Sequence, residues 1–140
     1  MIKRADVARM RPAERKALLE ELAAMVVSGE LYLGDAARVL RAAVLGMDRR
    51  TFAQVVKVSP RAIARLEDDP RANLTVETLT RVFAPFGGKV SLIFPAMTEP
   101  EPLREEQQQV RRTIRDALDR TKRRRRSKAR ADGSPKSPAS

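Results

Sequence analysis

The sequence predicts a mainly all-α fold with a single C-terminal β-strand, an N-terminal helical extension and a basic tail. Three observations carry that expectation. Apolar residues recur at helical spacing as far as Phe86, three helix-start signals with matching apolar flanks fall between Asp48 and Thr75, and apolar/polar alternation occurs once, near Val90.

The first helix begins at Pro12, which suits an opening turn, and carries Leu18, Leu22, Met25 and Val26 as one stripe before Gly29, a C-terminal cap. A second, from about Asp35 to Leu45, places Ala36, Leu40, Ala43, Val44 and Met47 on a shared face. Asp48 caps the next, with Met47 and Phe52 in the staple relation. Ser59 repeats the pattern with Val58 and Ile63, with Pro60 at the first helical position, and Thr75 repeats it with Leu74 and Leu79.

That last helix directs Leu79, Val82, Phe83 and Phe86 inward and ends at Gly87-Gly88 after Pro85. Phe83, Phe86 and Phe94 read as core, and Tyr32 as a packing residue at a helix junction. Residues Lys89 to Pro95 switch to strand character, with Val90, Leu92 and Phe94 alternating against Ser91 and Ile93. After a Pro-rich hinge, Leu103 to Leu118 forms a helix with acids early and bases late, as the macrodipole favours. Its stripe of Leu103, Val110, Ile114 and Ala117/Leu118 is thin, which suggests a solvated helix or one that pairs weakly with another copy of itself. The expected divisions are an N-terminal extension (1–32), a central domain (33–95), a hinge and helix (96–119) and a basic, largely disordered tail (120–140).

Composition narrows the function. The 140 residues include 29 Lys and Arg against 18 Asp and Glu, a formal charge of +11, and the pI near 11.1 points to a polyanionic partner. From Arg120 onward nine bases face one acid, so the tail holds +8 and the preceding chain only +3. His and Cys are absent, which removes imidazole and thiol nucleophiles, disulfides and zinc sites with those ligands. No enzymatic activity, cofactor or metal site is expected, and Glu67-Asp68-Asp69 reads as a capped turn before Pro70. There is no long apolar run, and Met1 to Asp6 leads into a charged helix rather than a signal-peptide core. A soluble, cytoplasmic, nucleoid-associated protein with no membrane partner is the expectation.

The segment Asp48 to Asp68 reads as two capped helices about a tight Lys57-Val58 turn. Phe52, Val55, Val56, Val58, Ile63 and Leu66 lock them together, and small Ala53 allows close approach. With Ile63 and Leu66 inward, the outward face runs through Ser59, Pro60, Arg61, Ala62 and Arg65. Arg suits guanine edges, Ser a phosphate or base, and Ala permits close approach to a groove. Arg49 and Arg50 set charge beside free N–H groups at a helix start, which suits phosphate.

The run from Leu33 through Gly46-Met47-Asp48-Arg49-Arg50-Thr51-Phe52-Ala53-Gln54-Val55-Val56-Lys57-Val58-Ser59-Pro60-Arg61-Ala62-Ile63-Ala64-Arg65-Leu66-Glu67-Asp68, continuing through Asn73-Leu74-Thr75-Val76-Glu77-Thr78-Leu79, resembles the XRE (Cro and phage-repressor type) helix-turn-helix family. The resemblance covers roughly residues 33 to 94 and implies a lambda-repressor-like DNA-binding domain. It carries the family's base-contacting positions to Arg49, Ser59, Pro60, Arg61 and Arg65, and phosphate contacts to the region of Arg71 and Asn73. There are two departures. Lys57 stands where the family usually has Gly, which costs about 1 kcal/mol if the turn is left-handed, and the link around Val44-Leu45-Gly46 is one residue longer than usual. The ending Phe86 to Phe94 resembles family members whose terminal strand pairs across a two-fold dimer, as in antitoxins of HipA-type kinases, which would bury Val90, Leu92 and Phe94.

The expectation is therefore a homodimeric, sequence-specific regulator of transcription, a repressor or autoregulator, that reads the major groove of double-stranded DNA with helix 59–67. Lys122, Arg123, Arg124, Arg125, Arg126, Lys128 and Arg130 would add backbone contacts. The alternative is an antitoxin that also represses its own operon, its toxin partner held by residues 1–32 or the helix after Pro102. A non-specific architectural DNA binder ranks third.

Overall fold

The computed structural model describes residues 10–92 and 101–131, with side chains as far as Arg124. The described residues form six helices: α1 (Pro12–Val27), α2 (Leu33–Arg38, continuing as a π-helical turn over Val39–Val44), α3 (Arg49–Val56), α4 (Pro60–Asp68), α5 (Val76–Phe83, followed by a 3-10 turn at Ala84–Phe86) and α6 (Glu105–Ala131). The mainly helical class is as expected.

Local signals act where the sequence places them. Pro12 opens α1, and Gly29 follows it in the left-handed region at φ 81°. The side chains of Asp48, Ser59 and Thr75 accept the N–H groups of Thr51, Ala62 and Thr78 at the starts of α3, α4 and α5. Gly87, at φ 73°, closes the turn after α5.

The helix begun by α2 changes its hydrogen-bond pattern partway along. From Val39 the hydrogen bonds widen to the i→i+5 pattern, and Leu45 N–H donates to Leu40 O at 3.0 Å. A π-turn is an α-turn with one residue inserted. The helix begun by α2 thereby keeps Val39, Leu40, Ala43 and Val44 buried.

Two cores lie on either side of this helix. One gathers Leu18, Leu22 and Met25 of α1, Val39, Leu40, Ala43 and Val44, and Ile114, Ala117 and Leu118 of α6. The other gathers Ala37, Phe52, Ala53, Val56, Ile63, Leu66 and Val82. Phe83 and Phe86 touch both, and Phe86 stacks on Phe52 with ring centroids 6.3 Å apart.

The expectation for the last helix is corrected. Far from being solvated, α6 packs chiefly on α1 and also on the π-turn. Ile114 is fully buried, and Arg111 donates to Glu21 at 2.9 Å and to Glu30 at 2.7 Å. The hydrogen bond to Glu21 raises the Arg111 pKa above its ordinary value, against the opposing effect of burial, and Glu30 adds to the rise. The two stretches assigned to toxin binding thus turn their apolar stripes toward one another. Nor does the helix stop at 119: it continues to Ala131, so the first half of the expected disordered tail is helical. Residues 132–140 lie outside the described residues.

Two smaller expectations also change. Tyr32 precedes α2 as its N-cap and is 61% exposed rather than packed. Lys89 to Leu92 form no strand within the chain, because no other segment offers a partner edge among the described residues. Val90 and Leu92 are exposed there, and Phe94 lies outside the described residues.

Candidate nucleic-acid interface

The candidate surface is built on α3 and α4, which are joined by the three residues Lys57, Val58 and Ser59. Lys57 adopts the left-handed conformation, φ 57° and ψ 46°. A side chain there costs about 1–2 kcal/mol, and the neighbours hold it in place. Val58 N–H donates to Ala53 O at 3.0 Å, and Arg81 of α5, itself paired with Glu77, donates to Lys57 O at 3.1 Å.

Beneath the turn, Phe52, Ala53 and Val56 of α3 meet Ile63 and Leu66 of α4. Val55, expected among these locking residues, is instead 51% exposed, because it falls outside the stripe of Phe52, Ala53 and Val56, about 100° from Val56 and about 200° from Ala53 around α3. Gly34 lets α2 come against α4 closely: a Cβ at that position would lie 1.8 Å from Leu66 O.

The C-terminal end of α4 is held by charge. The Glu67 side chain, 1% exposed, takes Arg41 Nε on Oε2 at 2.6 Å and Arg41 Nη2 on Oε1 at 2.7 Å. Arg38 Nε reaches the same Oε1 at 3.4 Å and Arg49 Nε at 3.2 Å. Asp68 accepts from Arg38 at 2.8 Å and from Arg49 at 2.6 and 3.0 Å, and Arg41 also donates to Met47 O at 2.7 Å. Three guanidiniums and two carboxylates thus join α2, the start of α3 and the end of α4.

This cluster corrects one expectation: buried Glu67 and exposed Asp68 form the hub of an ion network rather than a simple capped turn. Arg49, assigned by resemblance to base contact, is 15% exposed at its side chain and donates to both Glu67 and Asp68. A sequence signal for Glu67 existed: it follows Ile63 by four residues and so belongs to the inward stripe of α4. Arg38 and Arg41 likewise stand among the buried residues Ala37, Val39, Leu40, Ala43 and Val44, charged positions within an apolar stretch.

The remaining candidates stay on the surface. Arg50, Ser59, Pro60, Arg61 and Arg65 are exposed and Ala62 half-buried, so α4 presents its N-terminal turn and both arginines outward. Ser59 Oγ is engaged as a cap acceptor but retains its own proton to donate. Arg71 and Asn73 are exposed in the following loop, where Arg71 N–H donates to Asp69 Oδ1 at 2.9 Å.

A second basic feature is the end of α6. Lys122 Nζ lies 3.5 Å from Asp35 Oδ1 near the start of α2, and Arg123 and Arg124 are exposed. Arg125, Arg126, Lys128 and Arg130 continue the same helix. No group of three or more acidic side chains suited to a metal ion occurs among the described residues, and no described helix is long and apolar enough to cross a membrane. No protein-family model, curated protein or solved structure matches the chain.

Proposed function

We propose that the chain is a sequence-specific double-stranded-DNA-binding regulator of transcription that enters the major groove with α4. One observation carries this reading: Ile63, Leu66 and Glu67 fasten one side of α4 through packing and the ion network, while Pro60, Arg61 and Arg65 stand exposed on the other. A fixed helix with outward arginines and small neighbours matches what base-edge recognition needs, because bidentate hydrogen bonds tolerate little rotation. Arg50, Arg71 and Asn73 fit phosphate contacts that set its register.

Homodimerisation belongs to the same reading. Val90 is 46% and Leu92 80% exposed in a segment that is neither helix nor strand, and pairing with a second copy would cover them and set two α4 helices about 34 Å apart on one face of the duplex. Leu92→Asp should then convert the protein to monomer in sedimentation equilibrium.

The test begins by selecting a preferred site from a pool of random duplexes. Arg61→Ala/Arg65→Ala should abolish preference for that site, each missing bidentate pair costing about 1–3 kcal/mol. Unchanged affinity and preference would reject the reading, and equal affinity of the native protein for all duplexes would leave it a non-specific binder.

A further inference from the structure

We propose that Lys122–Ala131 is a helical arm, set in a fixed position by the body of the protein, that binds the phosphate backbone of the same duplex that α4 reads. The proposal rests on the DNA reading above and adds a second contact of a different kind.

The arm is continuous with the core. Within α6, Ala117 and Leu118 are buried, and Lys122 follows Leu118 by one turn. The 27 residues of α6 span about 40 Å, of which the arm takes about 15 Å. Its helicity is supported by good helix formers and by bases near a helix C-terminus.

Its chemistry selects the partner. Lys122–Ala131 contains seven bases and no acid, and its other residues are Ser127, Ala129 and Ala131. Successive positions are about 100° apart on a helix, so a run this dense in Lys and Arg leaves no pattern of apolar residues at helical spacing. Such a segment has no apolar stripe for a coiled coil or for lying in a membrane interface. A dense row of phosphates is the surface it suits, since duplex DNA carries one charge per ~1.7 Å of axis.

The placement joins arm and reading helix. The arm begins beside Asp35, next to Gly34, whose backbone abuts Leu66 of α4. Leu33 and Gly34 also line a concavity with Asp69, Pro70 and Ala72, in the loop that presents Arg71 and Asn73. The root of the arm therefore lies on the side of the body where phosphate contacts are expected.

The experiment titrates the full chain against a fluorescent mixed-sequence duplex and against its selected site over a range of salt, with two variants. Arg123→Gln/Arg124→Gln/Arg125→Gln/Arg126→Gln should lower the slope of log affinity against log salt by about two to four, at ~0.9 for each phosphate no longer neutralised. It should weaken both duplexes by the same factor. Ser127→Pro keeps every charge and leaves the core untouched, yet by interrupting the arm should weaken binding about five- to tenfold, while Ser127→Ala should match the native protein. Circular dichroism verifies that each variant remains folded.

An unchanged slope overturns the proposal. So does a Ser127→Pro protein that binds as the native one does, since a loose charged tail would then suffice. Tighter binding to phosphatidylserine/phosphatidylcholine vesicles than to DNA, abolished in the same variants, would overturn it in favour of a membrane. The ratio between the two duplexes reports on α4 and the slope on the arm, so the two readings fail separately.

Discussion

Arg41 and Glu67, 26 positions apart in the chain, meet through two parallel hydrogen bonds of 2.6 and 2.7 Å. The planar guanidinium matches the two carboxylate oxygens, a geometry Lys cannot reproduce. This contact fixes the end of α4 against the helix that both cores share, so the outward direction of Arg61 and Arg65 depends on residues remote from them.

Removing the Glu67 charge should therefore be severe. Glu67→Gln leaves Arg38, Arg41 and Arg49 facing one another with a single carboxylate, and breaking a buried pair typically costs about 3–5 kcal/mol. Urea unfolding followed by circular dichroism should show that loss, whereas Arg50→Gln, at an exposed position, should change stability by less than about 0.5 kcal/mol. A small effect of Glu67→Gln would mean that the network contributes little net stability.

Gly34→Ala should also destabilise, through shape rather than charge. Its Cβ would fall 1.8 Å from Leu66 O, so α2 must withdraw from α4, at a cost of about 1–3 kcal/mol or more. Gly29→Ala, at a position where an added Cβ meets nothing within 4 Å, should incur only the conformational cost of positive φ, about 1 kcal/mol. The order of the two denaturation midpoints checks the argument.

The opposite sign is expected at Lys57. Lys57→Gly relieves a left-handed side chain but loosens the unfolded chain, leaving a net gain of about 0.5–1 kcal/mol. The main-chain bond from Arg81 survives because it uses the carbonyl. A lower unfolding midpoint for Lys57→Gly would show that the Lys side chain makes a compensating contact.

Arg111→Ala should loosen α6 from α1. Glu21, buried with its side chain 9% exposed, would lose its cationic partner, and hydrogen bonds to charged groups contribute about 1.5–3 kcal/mol. A double-mutant cycle with Glu21→Ala should return a coupling energy in that range. Hydrogen exchange in α6 should rise in the single variant before the amides of α3 and α4 respond.

Much of this architecture was legible in short stretches of sequence. Asp48, Ser59 and Thr75 act on N–H groups three residues away, and Leu18, Leu22 and Met25 form a stripe that spacing alone reveals. What escaped depends on partners distant in the chain. The stripe of α6 is too thin to announce its burial, and its docking to α1 is completed by Arg111 reaching Glu21, 90 positions earlier. The pairing of Arg49 with Glu67 and Asp68, 18 and 19 positions later, likewise shows only in the folded chain. The π-turn at Val39–Val44 had no local signal either, since it goes with keeping residues of one helix buried in two cores at once.

The packing of α6 on α1 has a consequence for the order of events during synthesis. A ribosome delivers α1 first and its partner last, while every residue of the second core through Val82 emerges in between. Those intervening helices can assemble from contacts close in sequence, which form fast. Leu18, Leu22 and Met25 must meanwhile wait without the helix that covers them, a period in which chaperones or other nascent chains compete for the same apolar stripe.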